Sequence, residues 1–177
     1  GLEVIEAHFL FGLDYDSIDV IVHPQSVVHG IVEWIDGSMI MQAAPADMRI
    51  PIQAALAFPE RLQPPFERVD LGRVAELCFE EVDHERFPCV GLAYAAGRRG
   101  GSYPAVLNAA NEEAVNAFLI GLIPFTAIST TIEEVLELHD GALGGDLETL
   151  LEIDAWGRAE TRRIMRDQSA STRRALA

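Results

Sequence analysis

An α+β fold is predicted for this sequence: a helix, a strand, a β-hairpin and a second helix, followed by a small C-terminal helical bundle. Three observations carry that reading. Between Asp19 and Pro51, apolar and polar residues alternate about an Asp36-Gly37 pair, the period of half-buried strands and their turn. From Phe87 onward the apolar spacing changes to three and four, the period of helices. Between them, residues 58–84 are rich in proline and charge and sparse in apolar side chains, the composition of a connecting arm. The predicted division is therefore a first module at 1–57, the arm at 58–84, a helical-bundle domain at 85–168 and a flexible tail at 169–177.

Each element has a local reason. Leu2 to Phe11 carries Leu2, Ile5 and Phe9 at helical spacing and is closed by Gly12. Asp19 to Val22 reads as a buried strand ending at His23-Pro24. Val28, Gly30, Val32 and Trp34 then alternate with His29, Ile31, Glu33 and Ile35, and Ser38 to Gln42 returns after the turn. Pro45 to Pro51 leads into a helix carrying Ile52, Ala55 and Leu56. In the second half, Val90 to Ala96 forms a short helix. A longer helix capped near Asn108 follows, with Val115, Phe118, Leu119 and Leu122 along one stripe. Ile128, Ile132, Val135 and Leu136 make a third stripe. Asp146 caps a short turn through Leu151, and Asp154 a last helix with Trp156, Ala159 and Ile164. The glycine clusters at 97–101 and 141–145 follow no strand, so they read as helix stops rather than dinucleotide fingerprints. Glu112-Glu113 and Glu133-Glu134 read as solvated faces, and Arg158, Arg162, Arg163 and Arg166 as cations suited to a helix C-terminus.

Composition excludes several classes of function. With 177 residues, 49% of them hydrophobic, the chain can fill a core. A formal net charge of −15 repels phosphate backbones and anionic lipid, so neither nucleic acid nor membrane is an expected partner. All 13 basic residues are arginine, which removes lysine Schiff bases and P-loop lysines. Cys78 and Cys89 have no metal-ligand spacing and no secretory segment accompanies them, so a reduced, cytoplasmic setting is expected. The most apolar run, Ala114 to Ile128, holds Asn116 and Pro124 and is too short to span a bilayer.

Several runs occur together in order: Gly1-Leu-Glu-Val-Ile-Glu-Ala7, His23-Pro-Gln-Ser26 with His29, Asp36-Gly37-Ser38, Asp47-Met-Arg49, Phe87-Pro-Cys89 and Ala105-Val-Leu-Asn-Ala-Ala-Asn-Glu112. With these motifs the chain resembles the 1-deoxy-D-xylulose 5-phosphate reductoisomerases over most of its length. The resemblance implies the C-terminal part only, since the family carries an Asn-Lys pair just before its Gly-Leu-Glu. The first module would then be the remnant of an α/β catalytic domain. The implied chemistry is an isomeroreduction of 1-deoxy-D-xylulose 5-phosphate that uses NADPH and a divalent metal, Mg²⁺ or Mn²⁺, in a homodimer.

Each candidate residue has a plain reading beside the implied one. Glu3 lies in a helix's first turn, where the dipole favours an acid; the resemblance makes it a metal ligand beside the substrate, and a hard cation suits its oxygens. His8 lies about 140° around the helix from Glu3 and cannot readily share a ligand with it. His23 and His29, roughly 20 Å apart along an extended chain at ~3.3 Å per residue, cannot share one metal unless the chain folds back at Pro24. A stand-alone metal hydrolase built on His8, His23 and His29 is therefore disfavoured. Each of the latter two reads as a strand-end hydrogen-bonding group, with acid-base work open to it. The resemblance assigns substrate binding to His29 and leaves His23 structural. Met48 reads as a gap-filling thioether; the resemblance puts it against the nicotinamide ring. There the chain departs from the family pattern, with Ala46 where a proline precedes Asp-Met and Pro45 one position earlier.

The expectation is thus a fragment with Glu3, His29 and Met48 but without the Rossmann turn, the paired acidic ligands or the substrate-binding serines, and inactive alone. The alternative is an acidic helical module for interaction or dimerisation with no catalysis of its own.

Overall fold

The computed structural model describes residues 1–63, 67–141 and 145–175, with side chains through residue 168. In chain order the elements are α1 (Leu2–Phe11), a 3₁₀ turn (Tyr15–Ser17), β1 (Ile21–Val22), β2 (Val28–Glu33), β3 (Met39–Ala43), α2 (Arg49–Ala57), α3 (Leu71–Val74), β4 (Glu80–Glu81), α4 (Pro88–Arg99), α5 (Tyr103–Leu119), α6 (Ala127–Leu138) and α7 (Leu147–Ala175). They form two compact units, Gly1–Asp19 with Asp83–Ala177, and Val20–Val82. This differs from the expected division at 57 and 84. α1 packs on α4 of the bundle, because Val4 and Ile5 bury themselves in the same core as Ala93, Ala96, Val106 and Leu107.

In the helical unit small residues set the geometry. α5 buries Val106, Leu107, Ala109, Ala110, Ala114 and Ala117, whereas Phe118, Leu119 and Leu122 of the expected stripe are exposed. Alanines bring α7 close, and Gly157 brings it closer: a Cβ there would stand 3.2 Å from Ala109 Cβ. The buried line of α7 is Ile153, Gly157, Thr161 and Ile164, spaced four, four and three as an apolar helix face requires. Thr161 hides its hydroxyl by donating to the Gly157 carbonyl at 2.7 Å. Trp156 and Ala159, expected on this face, lie off it. The α6 stripe is as expected, with Ile128, Ile132, Val135 and Leu136 all buried.

Two helix starts depart from expectation. α5 starts at Tyr103, five residues before Asn108, with a proline in its first turn. Asp146 accepts the Thr149 N–H at 2.8 Å and starts α7, which continues through Asp154. Asp154 pairs instead with Arg158 one turn on, at 2.7 Å. Helical backbone continues through Ala175, past the expected tail start at Ser169. The expected helix stop at 141–145 falls partly outside the described residues. Gly97 is not a stop but a contact, since a Cβ there would lie 2.2 Å from Tyr15 Cζ.

The Val20–Val82 unit is built on two small antiparallel pairings, β2 with β3 and β1 with β4. Asp36-Gly37 makes the hairpin turn as expected. Gly37 has φ 80, and Asp36 Oδ1 accepts the Ser38 N–H and Oγ–H at 2.9 and 2.6 Å. β1 is shorter than expected and not buried: Ile21 pairs with Glu81 and Val22 with Glu80, which draws the end of the expected arm into the unit. His23 and Gln25 secure that pairing through the Cys78 backbone. His23 Nδ1–H donates to the Cys78 carbonyl at 2.7 Å, and the Cys78 N–H donates to Gln25 Oε1 at 3.1 Å.

Candidate functional site

Glu3 projects from the first turn of α1, whose entry is crowded. A Cβ on Gly1 would come within 2.7 Å of Ala93 Cβ and 3.0 Å of the Cys89 carbonyl oxygen, so the chain passes α4 with no side chain to spare. Beneath this turn lies a cavity of about 290 Å³, lined by Glu3, Cys89, Leu92, Leu107, Asn111 and Ile132 among others. Cys89 is exposed, yet partial desolvation of its thiol raises the pKa above the ordinary value and favours the protonated form, a weak donor. Asn111 and Cys89 beside Glu3 escaped the sequence reading, because their proximity depends on α4 and α5 crossing under α1.

His29 occupies a β-bulge: Val28 pairs with Ala43 and Gly30 with Gln42, so His29 is the extra residue. Its Nε2–H donates to the Ala44 carbonyl at 3.0 Å. That bond selects the tautomer and leaves Nδ1 of the neutral ring as an acceptor. An Asn-Gly or Asp-Gly turn is legible in sequence; the bulge that singles out His29 is not.

The same chain continues from Ala44 into the Met48 loop, so His29 and Met48 are tied to one stretch of backbone. Asp47 Oδ1 accepts the Arg49 N–H and Nε–H, both at 2.9 Å, and Oδ2 pairs with the Arg49 guanidinium. These bonds pull the Asp47 carboxyl down to about 2. The Ile52 N–H donates to the Met48 carbonyl at 3.2 Å as α2 begins. With its neighbours clamped, the Met48 side chain stands 71% exposed, a poor position for a core filler. Ala46 is accommodated between Pro45 and Asp47, whose N–H donates to the Pro45 carbonyl at 2.8 Å.

Three other histidines serve structure. His8 stacks on Tyr15 with ring centroids 4.3 Å apart and donates from Nδ1 to the Leu13 carbonyl. His23 stacks on Phe79 at 4.7 Å. His139, which the sequence reading passed over, is buried and hydrogen-bonded through Nε2 to the fully buried Ser102 Oγ at 2.7 Å.

Glu3 belongs to the helical unit, and His29 and Met48 to the Val20–Val82 unit. Mg²⁺ demands close to six oxygen ligands. Glu3 brings one carboxylate, and among the described residues no three His, Cys, Asp or Glu side chains converge. Glu3 could therefore supply one oxygen to Mg²⁺, and these residues alone do not complete its shell. Among the described residues no helix is long and apolar enough to cross a membrane.

The sequence profile of the DXP reductoisomerase C-terminal domain matches residues 43–160. The 1-deoxy-D-xylulose 5-phosphate reductoisomerase of Pelotomaculum thermopropionicum is 52% identical over 167 residues, 94% of this chain and 43% of the relative. That of Chloroherpeton thalassium is 53% identical over 169 residues, 96% of this chain and 43% of the relative. Among solved structures, the Zymomonas mobilis reductoisomerase in complex with NADPH is 41% identical with a TM-score of 0.86, over 92% of this chain and 43% of that one. A DOX-P reductoisomerase with NADPH, fosmidomycin and magnesium is 36% identical with a TM-score of 0.88, over 93% of this chain and 42% of that one. This chain belongs to the 1-deoxy-D-xylulose 5-phosphate reductoisomerase family and corresponds to its C-terminal part, spanning about 43% of the length of the curated relatives it matches.

Proposed function

We propose that this chain supplies the C-terminal portion of an enzyme converting 1-deoxy-D-xylulose 5-phosphate to 2-C-methyl-D-erythritol 4-phosphate, with NADPH as hydride donor and Mg²⁺ or Mn²⁺ bound, in non-mevalonate isoprenoid synthesis. The observation that carries it is the run of family motifs within a 52–53% identical alignment. In this reading Glu3 offers one oxygen to the metal and steadies the substrate bound to it. His29, with Nε2–H committed to Ala44, presents Nδ1 to a substrate hydroxyl. Met48, held outward by the Asp47–Arg49 clamp, packs on the nicotinamide ring. When bound, the metal would act as a Lewis acid and template and the nicotinamide would carry the redox step. The working enzyme is proposed to be a cytoplasmic homodimer, joined through the hairpin whose Val32, Ile35 and Ile40 are exposed. In that enzyme residues 1–57 are proposed to belong to the catalytic domain, 58–84 to a connecting arm, 85–168 to a helical-bundle domain and 169–177 to a tail.

A chimera tests this: the upstream portion of the Pelotomaculum thermopropionicum relative joined to this chain at Gly1, assayed for NADPH oxidation. Turnover that needs metal and drops at least ~100-fold in Glu3→Ala is expected, a loss of ~2.7 kcal/mol or more in the barrier. A chimera that binds NADPH yet converts no substrate overturns the proposal. The chain alone is expected to show no turnover.

A further inference from the structure

We propose that the Val20–Val82 unit carries a binding site for a small phosphomonoester, centred on Arg61 and Arg68. These two arginines line a cavity of about 340 Å³ together with Gln53, and its walls include Pro45, Ala54 and Leu62. The volume lies at the lower end of the roughly 300–1,000 Å³ of small-molecule sites, and the apolar walls with a few converging polar groups match their make-up.

The charge arrangement points to an anion. The chain holds 28 acidic residues against 13 arginines, and several guanidinium groups pair with a carboxylate: Arg49 with Asp47, Arg73 with Asp70, Arg98 with Asp16, and Arg158, Arg162 and Arg163 with acids of α5 and α7. Among the described residues Arg61 and Arg68 pair with no carboxylate. Arg68 donates to the neutral Gln63 Oε1 at 2.8 Å, which steadies its guanidinium without cancelling its charge. Gln63 is held in turn by Gln53, whose Nε2–H donates to its carbonyl at 3.3 Å. Arg61 makes no ion pair among the described residues. Glu60 and Glu67 adjoin the two arginines in sequence, yet among the described residues no carboxylate lines the cavity. In a chain with a twofold excess of acid, two uncancelled guanidinium groups on one concave surface leave a local positive site.

Guanidinium forks match phosphate oxygens in pairs, and the Gln53 amide adds a neutral group of the kind that orients such ligands. The apolar walls suit a short carbon skeleton. The net charge of −15 opposes anion approach at long range, but at 0.1 M salt that field is screened beyond about 10 Å, and contact with the two arginines decides binding. The site stands on this chain's own residues and does not depend on the family's reaction, so it is testable on the chain alone.

The test is NMR titration of the 177-residue chain with inorganic phosphate, glycerol 3-phosphate and succinate, following arginine Nε–H signals. Saturable shifts with glycerol 3-phosphate are expected, with phosphate next and succinate weakest. Arg61→Gln and Arg68→Gln should each weaken binding about tenfold while leaving the backbone spectrum in place. Arg98→Gln, in the other unit, should leave it unchanged. Absence of saturation, tighter binding of succinate than of either phosphate, or an affinity in Arg61→Gln or Arg68→Gln unchanged from that of the unsubstituted chain would each overturn the assignment.

Discussion

The two units bury their apolar residues in opposite ways. In the helical unit a continuous core runs from Val4 and Ile5 through Val106, Ala110 and Val135 to Ile164. In the Val20–Val82 unit, the buried hydrophobic residues among those described are Val27 and Ala44, while Val32, Trp34, Ile35, Met39, Ile40 and Met41 along the hairpin are exposed. A two-stranded hairpin is marginal by itself. The difference shows that the helical unit is organised by a core of its own, whereas the unit carrying His29 and Met48 is organised by hairpin, bulge and side-chain-to-backbone hydrogen bonds with little buried apolar surface.

Hydrogen exchange tests this contrast most directly. Amides of α5 and α7 are expected to exchange only with unfolding of the bundle, and those of β2 and β3 at least ~100-fold faster. Equal protection would mean that the hairpin unit is as stable as the core and that its exposed apolar face costs nothing. A matched pair of truncations comes next. Ile164→Ala, at a side chain 2% exposed, should cost about 2–5 kcal/mol in chemical denaturation. Ile40→Ala, at 62% exposed, should stay within ~0.5 kcal/mol. Similar losses at both would contradict the comparison.

Gly97→Ala follows, because its methyl group would overlap the Tyr15 ring. Overpacking there should cost about 1–3 kcal/mol despite the better helix propensity of alanine, and thermal unfolding would register it. Arg158→Ala removes links to Glu112 at 2.8 Å and Asp154 at 2.7 Å on a partly exposed surface, so about 1 kcal/mol is expected, shrinking in high salt.

The last effect is one of pH. Burial holds His139 below its ordinary pKa, with Asp140 pulling weakly the other way. The unfolded chain therefore takes up the proton first. The stabilising contribution is complete above the unfolded value of ~6.5 and is lost as pH falls from there through the folded value. Melting temperatures between pH 7 and 5 should fall, and His139→Gln should flatten that slope. An unchanged slope would remove His139 from the account.

How much of this was legible in sequence depends on how far each signal reaches along the chain. Asp36-Gly37 announced the hairpin because a positive-φ turn is a property of neighbouring residues, and Ile128, Ile132, Val135 and Leu136 announced α6 because their period is local. The α5 and α7 faces were misread for the opposite reason. They pack through Ala109, Gly157 and Thr161, residues too small or too polar to register as apolar, while the larger Leu119 and Leu122 lie outside. Glu112 and Glu113 looked solvated because their partners, Arg158 and Arg162, are 46 and 49 positions away. For the candidate site, the identities of Glu3, His29 and Met48 came from motif resemblance. The bulge under His29 and the two-arginine cavity needed coordinates, since both depend on pairing between distant stretches.

The tight passage of Gly1 past Ala93 means that the position of Glu3 is governed from a neighbouring helix. Enlarging residue 93, which makes no claim to chemistry, would lever the start of α1 outward and carry the carboxylate with it. Under the role proposed for Glu3, the methyl group of Ala93 in a supporting helix would come under the same constraint as the carboxylate, and a variant at Ala93 would read as a damaged Glu3 although Glu3 is intact.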